Sequence, residues 1–549
     1  MPTLDWIKLA FILPVFFGIG PLIGMAVKGK PKAQRWLFGI MCFMTINGLL
    51  DAGNWGLTLD SVEKYRGHAK GYHFYFNHIL AVALMTARWL EDRKSFRWVP
   101  PGMLIYGLFI VTASLSIINA PRVDYALMAV HKMSFFALMG LAAFNCLRTV
   151  DDIRFFMVVM GGTMVWEGMV VLKLKYLQGQ YQVHGTFEHQ NSLSMYTILI
   201  AMPLLAVALG PKFRGQKLCV WGFLMSAVII QGALSRASLL MFAAGVAGVS
   251  VLSLVEKPTV RRFTVLAVMS AVAALGLSFT LDTIISRFHD QGNDASAELR
   301  EVLNEAARQM EAAHPLGIGW NNYAHVINAP FPYAEVVYDW IRGRNMKVVE
   351  DLPNAPVESH YYLLFSENGY PGLIAWYLVM AAGIFRNLRG FLSFRHSFER
   401  CLCLGILTGT SLNYIQSTLE RTLTQPRNLM LWLLLYGITG RLDVLRRNRR
   451  KGEPVEPVTP GEAGVSPSSA PLPAGKPSSL PSPPSAAPEP VPGPEKRWPS
   501  PAGWRAARAL SAGSGAASGA AAASALPLPP FRNQSPAGGG QDSSNRSGH

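Results

Sequence analysis

The sequence predicts an all-α protein in which a polytopic bundle of transmembrane helices carries one large polar loop. Half of the 549 residues are hydrophobic and only 15% are charged, and the mean hydropathy is +0.23. Such a composition is typical of a chain that crosses a membrane many times. One polar stretch, residues 282–359, interrupts the apolar segments, and we expect the chemistry to lie there.

Apolar runs of roughly 16 to 24 residues, long enough to span a bilayer as helices, recur along the chain. Thirteen segments qualify, the last of them short, so we predict a bundle of about 12–13 spans. The first segment lacks a short apolar core followed by a small-residue cleavage site, so it is interpreted as a retained helix. The segments are 4–27, 37–54, 72–90, 102–119, 124–147, 155–175, 192–210, 218–234, 237–255, 263–281, 360–385, 401–418 and 429–440.

The positions of lysine and arginine predict the topology, because these residues resist transfer across the membrane. Basic clusters follow every second span, at residues 28–35, 93–97, 148–154, 212–217, 257–262, 386–400 and 446–451. We therefore predict that these connections are cytoplasmic. Met1 and the 282–359 loop are then predicted to lie outside.

The same pattern divides the chain into five parts. Residues 1–154 form N-terminal transmembrane helices, 155–281 further transmembrane helices, 282–359 the large outside loop and 360–451 three C-terminal transmembrane helices. Residues 452–549 are rich in Pro, Ala, Ser and Gly, so they are predicted to be a disordered cytoplasmic tail. The formal net charge of +16 fits loops that face anionic membrane lipids, and no nucleic-acid partner is expected.

Cations outside the predicted bundle are candidate ligands for an anion, since excess cations normally avoid that side. Lys173 and Lys175 follow span six, and Arg236 occupies a turn so short that it holds the side chain near the bilayer surface. Alternatively, the lysines snorkel to the interface and Arg236 is only an interfacial anchor. His189 and Asn191 are also candidates, although taken alone they fit a satisfied turn better than a site.

His360 and Glu367 lie at the start of the span that follows the large loop. On a helix their spacing puts both on nearly the same face, about 10 Å apart along the axis. A carboxyl group inside the membrane is costly unless it is paired or protonated, so Glu367 is predicted to face the bundle interior. His360 fits a general base, and it fits equally a helix-start histidine that faces lipid headgroups.

Four motifs on the predicted outside face occur in a characteristic order, and together they resemble the O-antigen ligase and polymerase superfamily of bacterial membrane proteins over roughly residues 155–440. The resemblance implies a GT-C-like fold and a glycosyltransferase without a nucleotide-sugar site, whose donor is a glycan on undecaprenyl pyrophosphate. It also implies an active site on the periplasmic face of the bacterial inner membrane. The motifs are Gly185-Thr-Phe-x-His-x-Asn191, Ser235-Arg236, His314-Pro-Leu-Gly-Ile-Gly, and His360 followed by Glu367-Asn-Gly369.

The resemblance also implies roles for single residues. Arg236 and a loop arginine would grip the pyrophosphate, because planar guanidinium groups pair bidentately with phosphate oxygens. Arg300 is preferred for the second position because it lies in a helix-like run. His360 would orient or deprotonate the acceptor. The residues assigned to substrate binding are Arg287, Lys173, Lys175, His189, Asn191 and Glu367.

No cofactor and no metal are expected. The outside loops contain no Asp-x-Asp pair and no His-x-x-x-His spacing, and residues 290–294 lack the rest of a calcium-binding loop. The arginines are therefore expected to replace a divalent cation.

Three functions stay open at this point. The acceptor hydroxyl belongs to lipid A-core or another polysaccharide in the first and to a protein in the second, while the third is a small-anion transporter. Transporters usually place binding groups near the midplane in repeated halves, whereas the polar groups here cluster at one surface. Aromatic residues of the large loop either stack on sugar rings or pack the loop on itself: Phe331, Tyr333, Tyr338 and Trp340.

Overall fold

A computed structural model of the chain describes residues 3–46, 56–62, 64–278, 281, 285, 292–328, 330–344 and 356–451. The prediction of an all-α polytopic bundle is confirmed. In the described ranges, eight helices are long and apolar enough to cross a membrane, and Met103–Asn119 is a shorter apolar one. Each of the thirteen predicted apolar segments overlaps a helix.

The helices are numbered in chain order. In the first half they are α1 Thr3–Pro14, α2 Gly20–Val27, α3 Pro31–Phe43, α4 Phe76–Glu91, α5 Met103–Ser114, α6 Val123–Cys146, α7 Val150–Leu172, α8 Gln190–Leu209 and α9 Gln216–Ala233. In the second half they are α10 Arg236–Glu256, α11 Val260–Ser278, α12 Gly292–Ala313, α13 Tyr323–Val326, α14 Glu335–Gly343, α15 His360–Ser393, α16 Phe398–Gln416 and α17 Pro426–Lys451.

The last helix is longer than the short segment predicted at 429–440, because α17 continues to Lys451. Asp443 and Arg446 pair within the helix at 2.7 Å, and the side chain of Arg446 is only 4% exposed. An ion pair between residues one turn apart neutralises charges that would otherwise end an apolar segment. The helix therefore extends past the point where hydropathy falls.

A short antiparallel strand pair was not predicted. Strand β1 (Gly56–Leu59) pairs with strand β2 (Tyr72–Tyr75), so residues 72–75 do not begin the third span. Their sequence, Tyr-His-Phe-Tyr, is rich in aromatic residues, which favour a pleated, half-buried surface. The chain between the two strands contributes a side chain to the candidate functional site.

The connections between helices meet at two opposite ends of the bundle, in the alternation that the basic clusters predict. At one end Arg35 pairs with Asp152 at 2.6 Å and Arg400 pairs with Glu256 at 3.1 Å. At the other end the side chain of Asn119 donates to the carbonyl oxygen of Gly317 at 3.0 Å. Which end faces the periplasm stays a prediction.

Helix α15 is interrupted at Gly369, whose φ of 61° and ψ of −166° are not helical. The interruption leaves carbonyl groups without their intrahelical donors, and the large loop supplies replacements. The backbone N–H of Ile318 donates to the carbonyl oxygen of Ser366 at 2.9 Å, and that of Gly319 donates to Glu367 at 3.2 Å. The loop is thereby fixed on the broken helix.

The aromatic residues of the loop pack on the loop itself, which is the second of the two alternatives above. Tyr333 is buried in a cluster with Leu303 of α12 and Val337 of α14, and Phe331, Tyr338 and Trp340 pack against the cluster. Because α12 also contacts α15, the loop forms a folded cap on one end of the bundle.

We expect Gly369→Ala to lower the thermal unfolding midpoint. Gly369 has a positive φ, which side chains other than glycine rarely adopt, and an added Cβ would lie 2.2 Å from the carbonyl oxygen of Pro315. The expected loss in the free energy of unfolding is on the order of 3 kcal/mol. The matched control is Gly248→Ala, where nothing lies within 4 Å of the added Cβ. Equal midpoints for both variants, measured in detergent, would contradict the proposed role of the interruption.

Candidate functional site

A cavity of about 280 Å³ lies at the capped end of the bundle. Three titratable side chains line it, those of His68, His360 and Glu367. Its remaining wall is largely apolar and includes Trp320 and Trp376. We call it the histidine cavity.

His360 is the first residue of α15 and is only 1% exposed. Its backbone N–H donates to the carbonyl oxygen of Ser417 at 3.0 Å, and its ring packs edge-on against Trp376. Neither ring nitrogen has a hydrogen-bond partner among the described residues. Leaving buried polar groups unpaired costs about 1–3 kcal/mol each, so this arrangement is typical of a functional group that meets a ligand.

Glu367 is brought to the same cavity as His360, in agreement with their spacing on the helix. Glu367 is 1% exposed, and its Oε1 accepts a hydrogen bond from the backbone N–H of Tyr323 at 3.1 Å. The other oxygen lies 3.5 Å from Nε2 of His68. Among the described residues this second oxygen accepts no hydrogen bond, so the buried carboxyl group is only half satisfied by the protein.

His68 was missed by the sequence analysis. It lies between β1 and β2, far from Glu367 in the chain, and its carbonyl oxygen accepts a hydrogen bond from the buried ammonium of Lys132. Burial lowers the pKa of His68, although Glu367 acts to raise it. A single histidine in a polar connection carries no motif, so the sequence offered no signal for it.

Arg300 and Asn191, both predicted site residues, meet at Glu420. Arg300 forms an ion pair with Glu358 and lies 3.4 Å from Glu420, and the amide of Asn191 donates to Glu420 at 2.6 Å. Burial and the nearby charge of Glu358 raise the pKa of Glu420 to about 7, while Arg300 and Asn191 act to lower it. Glu420 was also missed, since it lies in the short connection between α16 and α17.

Arg421 follows Glu420 in the connection between α16 and α17. Burial lowers its pKa, while the carboxylates of Glu358, Glu367 and Glu420 act to raise it. Its guanidinium donates a long hydrogen bond, 3.5 Å, to the carbonyl oxygen of Arg66. The rule that singled out Lys173, a cation on the side that cations avoid, would have found Arg421 as well.

Arg236 begins α10 two residues after Leu234, which adopts a left-handed conformation with φ 50°. Two residues later, the hydroxyl of Ser238 accepts a hydrogen bond from the side chain of Gln416 at 2.7 Å. Gln416 precedes Ser417, the residue that holds the backbone of His360. The first turn of α10 is thus tied to the same end of the bundle, and the Arg236 side chain forms no ion pair with any described residue.

The other predicted site residues are not joined to the histidine cavity by contacts. Lys173 is exposed, and the ammonium of Lys175 donates to the carbonyl oxygen of Tyr181 at 2.6 Å. His189 caps α8, where its Nδ1 accepts the backbone N–H of Asn191 at 3.2 Å, as in a satisfied turn. Arg287 lies outside the described residues.

Comparison with protein families adds an independent finding. Residues 221–377 match the model of the O-antigen ligase family. The predicted resemblance to the O-antigen ligase and polymerase superfamily is confirmed. The match spans Arg236, Arg300, His360 and Glu367, and it supports a membrane enzyme that ligates or polymerises glycans. Curated proteins yielded no match.

We expect Glu420→Gln to change how stability depends on pH. Because the folded-state pKa of about 7 lies above the ordinary value of 4.5, the folded protein keeps a proton that the unfolded chain has released between these values. Stability is therefore lost as pH rises through this window, by on the order of 2 kcal/mol. The thermal midpoint of the variant minus that of the wild type should be larger at pH 8 than at pH 5. A difference that does not change with pH would contradict this.

Proposed function

We propose that this protein is a glycosyltransferase that moves a glycan from undecaprenyl pyrophosphate to an acceptor hydroxyl on the periplasmic face of a bacterial inner membrane. The observation that carries the proposal is His360, a buried imidazole whose two ring nitrogens have no partner among the described residues, in a cavity that Glu367 and His68 also line. The family match over residues 221–377 supports the same class of reaction.

In the proposed reaction His360 is the general base. One ring nitrogen accepts the proton of the acceptor hydroxyl as its oxygen attacks the anomeric carbon of the donor sugar. The bond between that carbon and the pyrophosphate oxygen breaks, and the electron pair leaves with the lipid pyrophosphate. The charge that develops on the pyrophosphate needs cationic donors, which Arg421 and Arg300 provide.

Glu367 and His68 position and balance the base. A protonated His360 carries a positive charge inside a largely apolar cavity, and the carboxylate of Glu367 offsets it electrostatically. The backbone N–H of Tyr323 fixes the orientation of that carboxylate, and the ring of His68 lies 3.5 Å from its other oxygen. The loop and the chain between the two strands therefore both contribute to the proposed site.

The arginines differ in readiness to bind an anion. Arg300 is occupied by Glu358 and Glu420, so a pyrophosphate must displace these carboxylates. Arg421 has a weaker bond to break, because the hydrogen bond that it donates to the carbonyl oxygen of Arg66 is 3.5 Å long. We therefore rank Arg421 first as the pyrophosphate ligand, with Arg300 and Arg236 beside it.

The polyprenyl chain of the donor has an apolar surface to lie on. Helix α10 begins with Arg236 and exposes Leu240, Val251 and Val255 along its length. A lipid whose pyrophosphate meets Arg236 can extend along these side chains into the bilayer. This arrangement supports a donor anchored in the membrane.

We expect His360→Ala to reduce glycan transfer by about 10²- to 10⁴-fold, because the base is lost. The gene is deleted in its host, and the surface polysaccharides and glycoproteins of complemented strains are compared on gels. A glycan band should disappear while lipid-linked precursor accumulates, and the affected band identifies the acceptor. His396→Ala, at the opposite end of the bundle, is the control. Full rescue by His360→Ala would refute the assignment of His360 as the general base.

We expect Arg421→Ala to reduce transfer by about 10²- to 10³-fold. Arg421→Lys should restore only part of the activity, since lysine keeps the charge but cannot pair bidentately with phosphate. Arg214→Ala, an exposed arginine, is the matched control. Equal transfer rates for Arg421→Ala and Arg214→Ala would remove Arg421 from the proposed mechanism.

Transfer by the purified protein should persist in EDTA, because the arginines supply the charge that a divalent cation would otherwise supply. The assay measures conversion of lipid-linked glycan with and without the chelator. A loss of activity that added Mg²⁺ reverses would refute metal independence.

A further inference from the structure

The connection between β1 and β2 holds His68 at the histidine cavity through its main chain. The carbonyl oxygen of His68 accepts a hydrogen bond from the buried ammonium of Lys132 in α6. The side-chain amide of Asn321, in the large loop, accepts the backbone N–H of Ala69 at 3.0 Å and donates to its carbonyl oxygen at 2.8 Å. These bonds fix the backbone at two successive residues and use no atom of the imidazole ring, so both ring nitrogens stay available to the cavity.

Four buried polar atoms of the histidine cavity have no hydrogen-bond partner among the described residues. They are Nδ1 of His68, both ring nitrogens of His360 and Oε2 of Glu367. A water molecule fits in the cavity, and a buried water needs two to four polar partners, which these atoms can supply. The three titratable side chains that line the cavity can therefore be joined by one water.

The geometry of His68 and Glu367 favours proton uptake at Nδ1. The other ring nitrogen, Nε2, lies 3.5 Å from Oε2 of Glu367, so it is the nitrogen to which we assign the proton of the neutral ring. A neutral imidazole has one donor and one acceptor, and Nδ1 is then the acceptor. A proton gained at Nδ1 would make the ring positive beside the carboxylate, and the attraction between them would stabilise the charged form.

The surroundings also let His68 give up a proton. Burial lowers the pKa of His68, the ammonium of Lys132 and the guanidinium of Arg421 lower it further, and Glu367 acts to raise it. A ring whose pKa lies below the ordinary value releases a proton readily at neutral pH. His68 can thus accept a proton for a short time without retaining it.

His360 and His68 differ in their access to solvent. His360 is 1% exposed, so a proton that it accepts has no direct path to bulk water. The side chain of His68 is 8% exposed, and Arg66 and Lys70 of the same connection are exposed. A base that stays protonated cannot act again, so each turnover requires a group that removes the proton.

We propose that His68 is a proton relay that returns His360 to its neutral form after each glycan transfer. His360 gives the proton of the acceptor hydroxyl to a water molecule, which passes one of its own protons to Nδ1 of His68. His68, charged beside Glu367, then releases a proton to bulk water. Only bonds to hydrogen form and break in these steps. The inference rests on the proposed function, because the relay carries the proton that His360 takes as the base.

Steady-state kinetics of the purified full-length protein in detergent test the relay, with lipid-linked glycan and acceptor as substrates. We expect His68→Gln to lower kcat by about tenfold or more and to leave both KM values unchanged, because the amide keeps a donor near Glu367 but cannot carry a proton. The matched control is His73→Gln, a histidine of β2 that does not line the cavity. Equal kcat values for the two variants would overturn the relay.

Chemical rescue separates proton transfer from a purely structural role. With His68→Ala, added imidazole should raise kcat in proportion to its concentration, since it can accept the proton in place of the missing ring. Pyrazole has nearly the same shape but is not basic at neutral pH, so it should leave kcat unchanged. If pyrazole restores kcat as well as imidazole does, the ring of His68 only fills space and the relay is refuted.

His360→Ala distinguishes a failure of the relay from a failure of the proposed function. If His360→Ala transfers glycan normally, the proposed function fails and the relay fails with it. If His360→Ala abolishes transfer while His68→Gln transfers as fast as His73→Gln, the relay alone is wrong. Loss of transfer in His360→Ala together with a lowered kcat in His68→Gln supports both.

Discussion

The structure of the site depends on the interruption of α15 at Gly369. A continuous helix would satisfy its own carbonyl groups, whereas the interruption leaves those of Ser366 and Glu367 to accept hydrogen bonds from Ile318 and Gly319 of the large loop. These bonds hold the loop on the bundle, and the backbone N–H of Tyr323, four residues further along the loop, donates to the carboxyl group of Glu367. One backbone irregularity thus fixes the cap and orients the buried carboxylate.

Several charged side chains lie close together at the capped end, and they can do so because they pair with one another. Glu358, Glu420, Arg300 and Arg421 lie close together in a partly buried setting, where each unpaired charge would carry a desolvation cost. Carboxylates hold the arginines while the donor is absent, and a pyrophosphate that arrives can replace them as the partner. The arrangement keeps cationic groups in a region from which uncompensated charge would be excluded.

The sequence located part of this site and overlooked another part for physical reasons. The spacing of His360 and Glu367 predicted a shared face because both lie in one helix, where periodicity fixes direction. His68 and Glu420 reach the site from short connections that are distant in the chain, and periodicity carries no information about them. Lys175 was singled out by its predicted side of the membrane, but its ammonium is used within its own loop.

By itself the sequence determined the class of fold, the helices and the order of the motifs, because burial in lipid imposes long apolar segments that hydropathy detects. It also determined which family the 221–377 region resembles. Only the tertiary structure decided that His360 lies in a cavity where its ring nitrogens have no partner among the described residues. Cavities and hydrogen-bond partners arise where distant segments meet, and no local sequence pattern predicts the contacts between such segments.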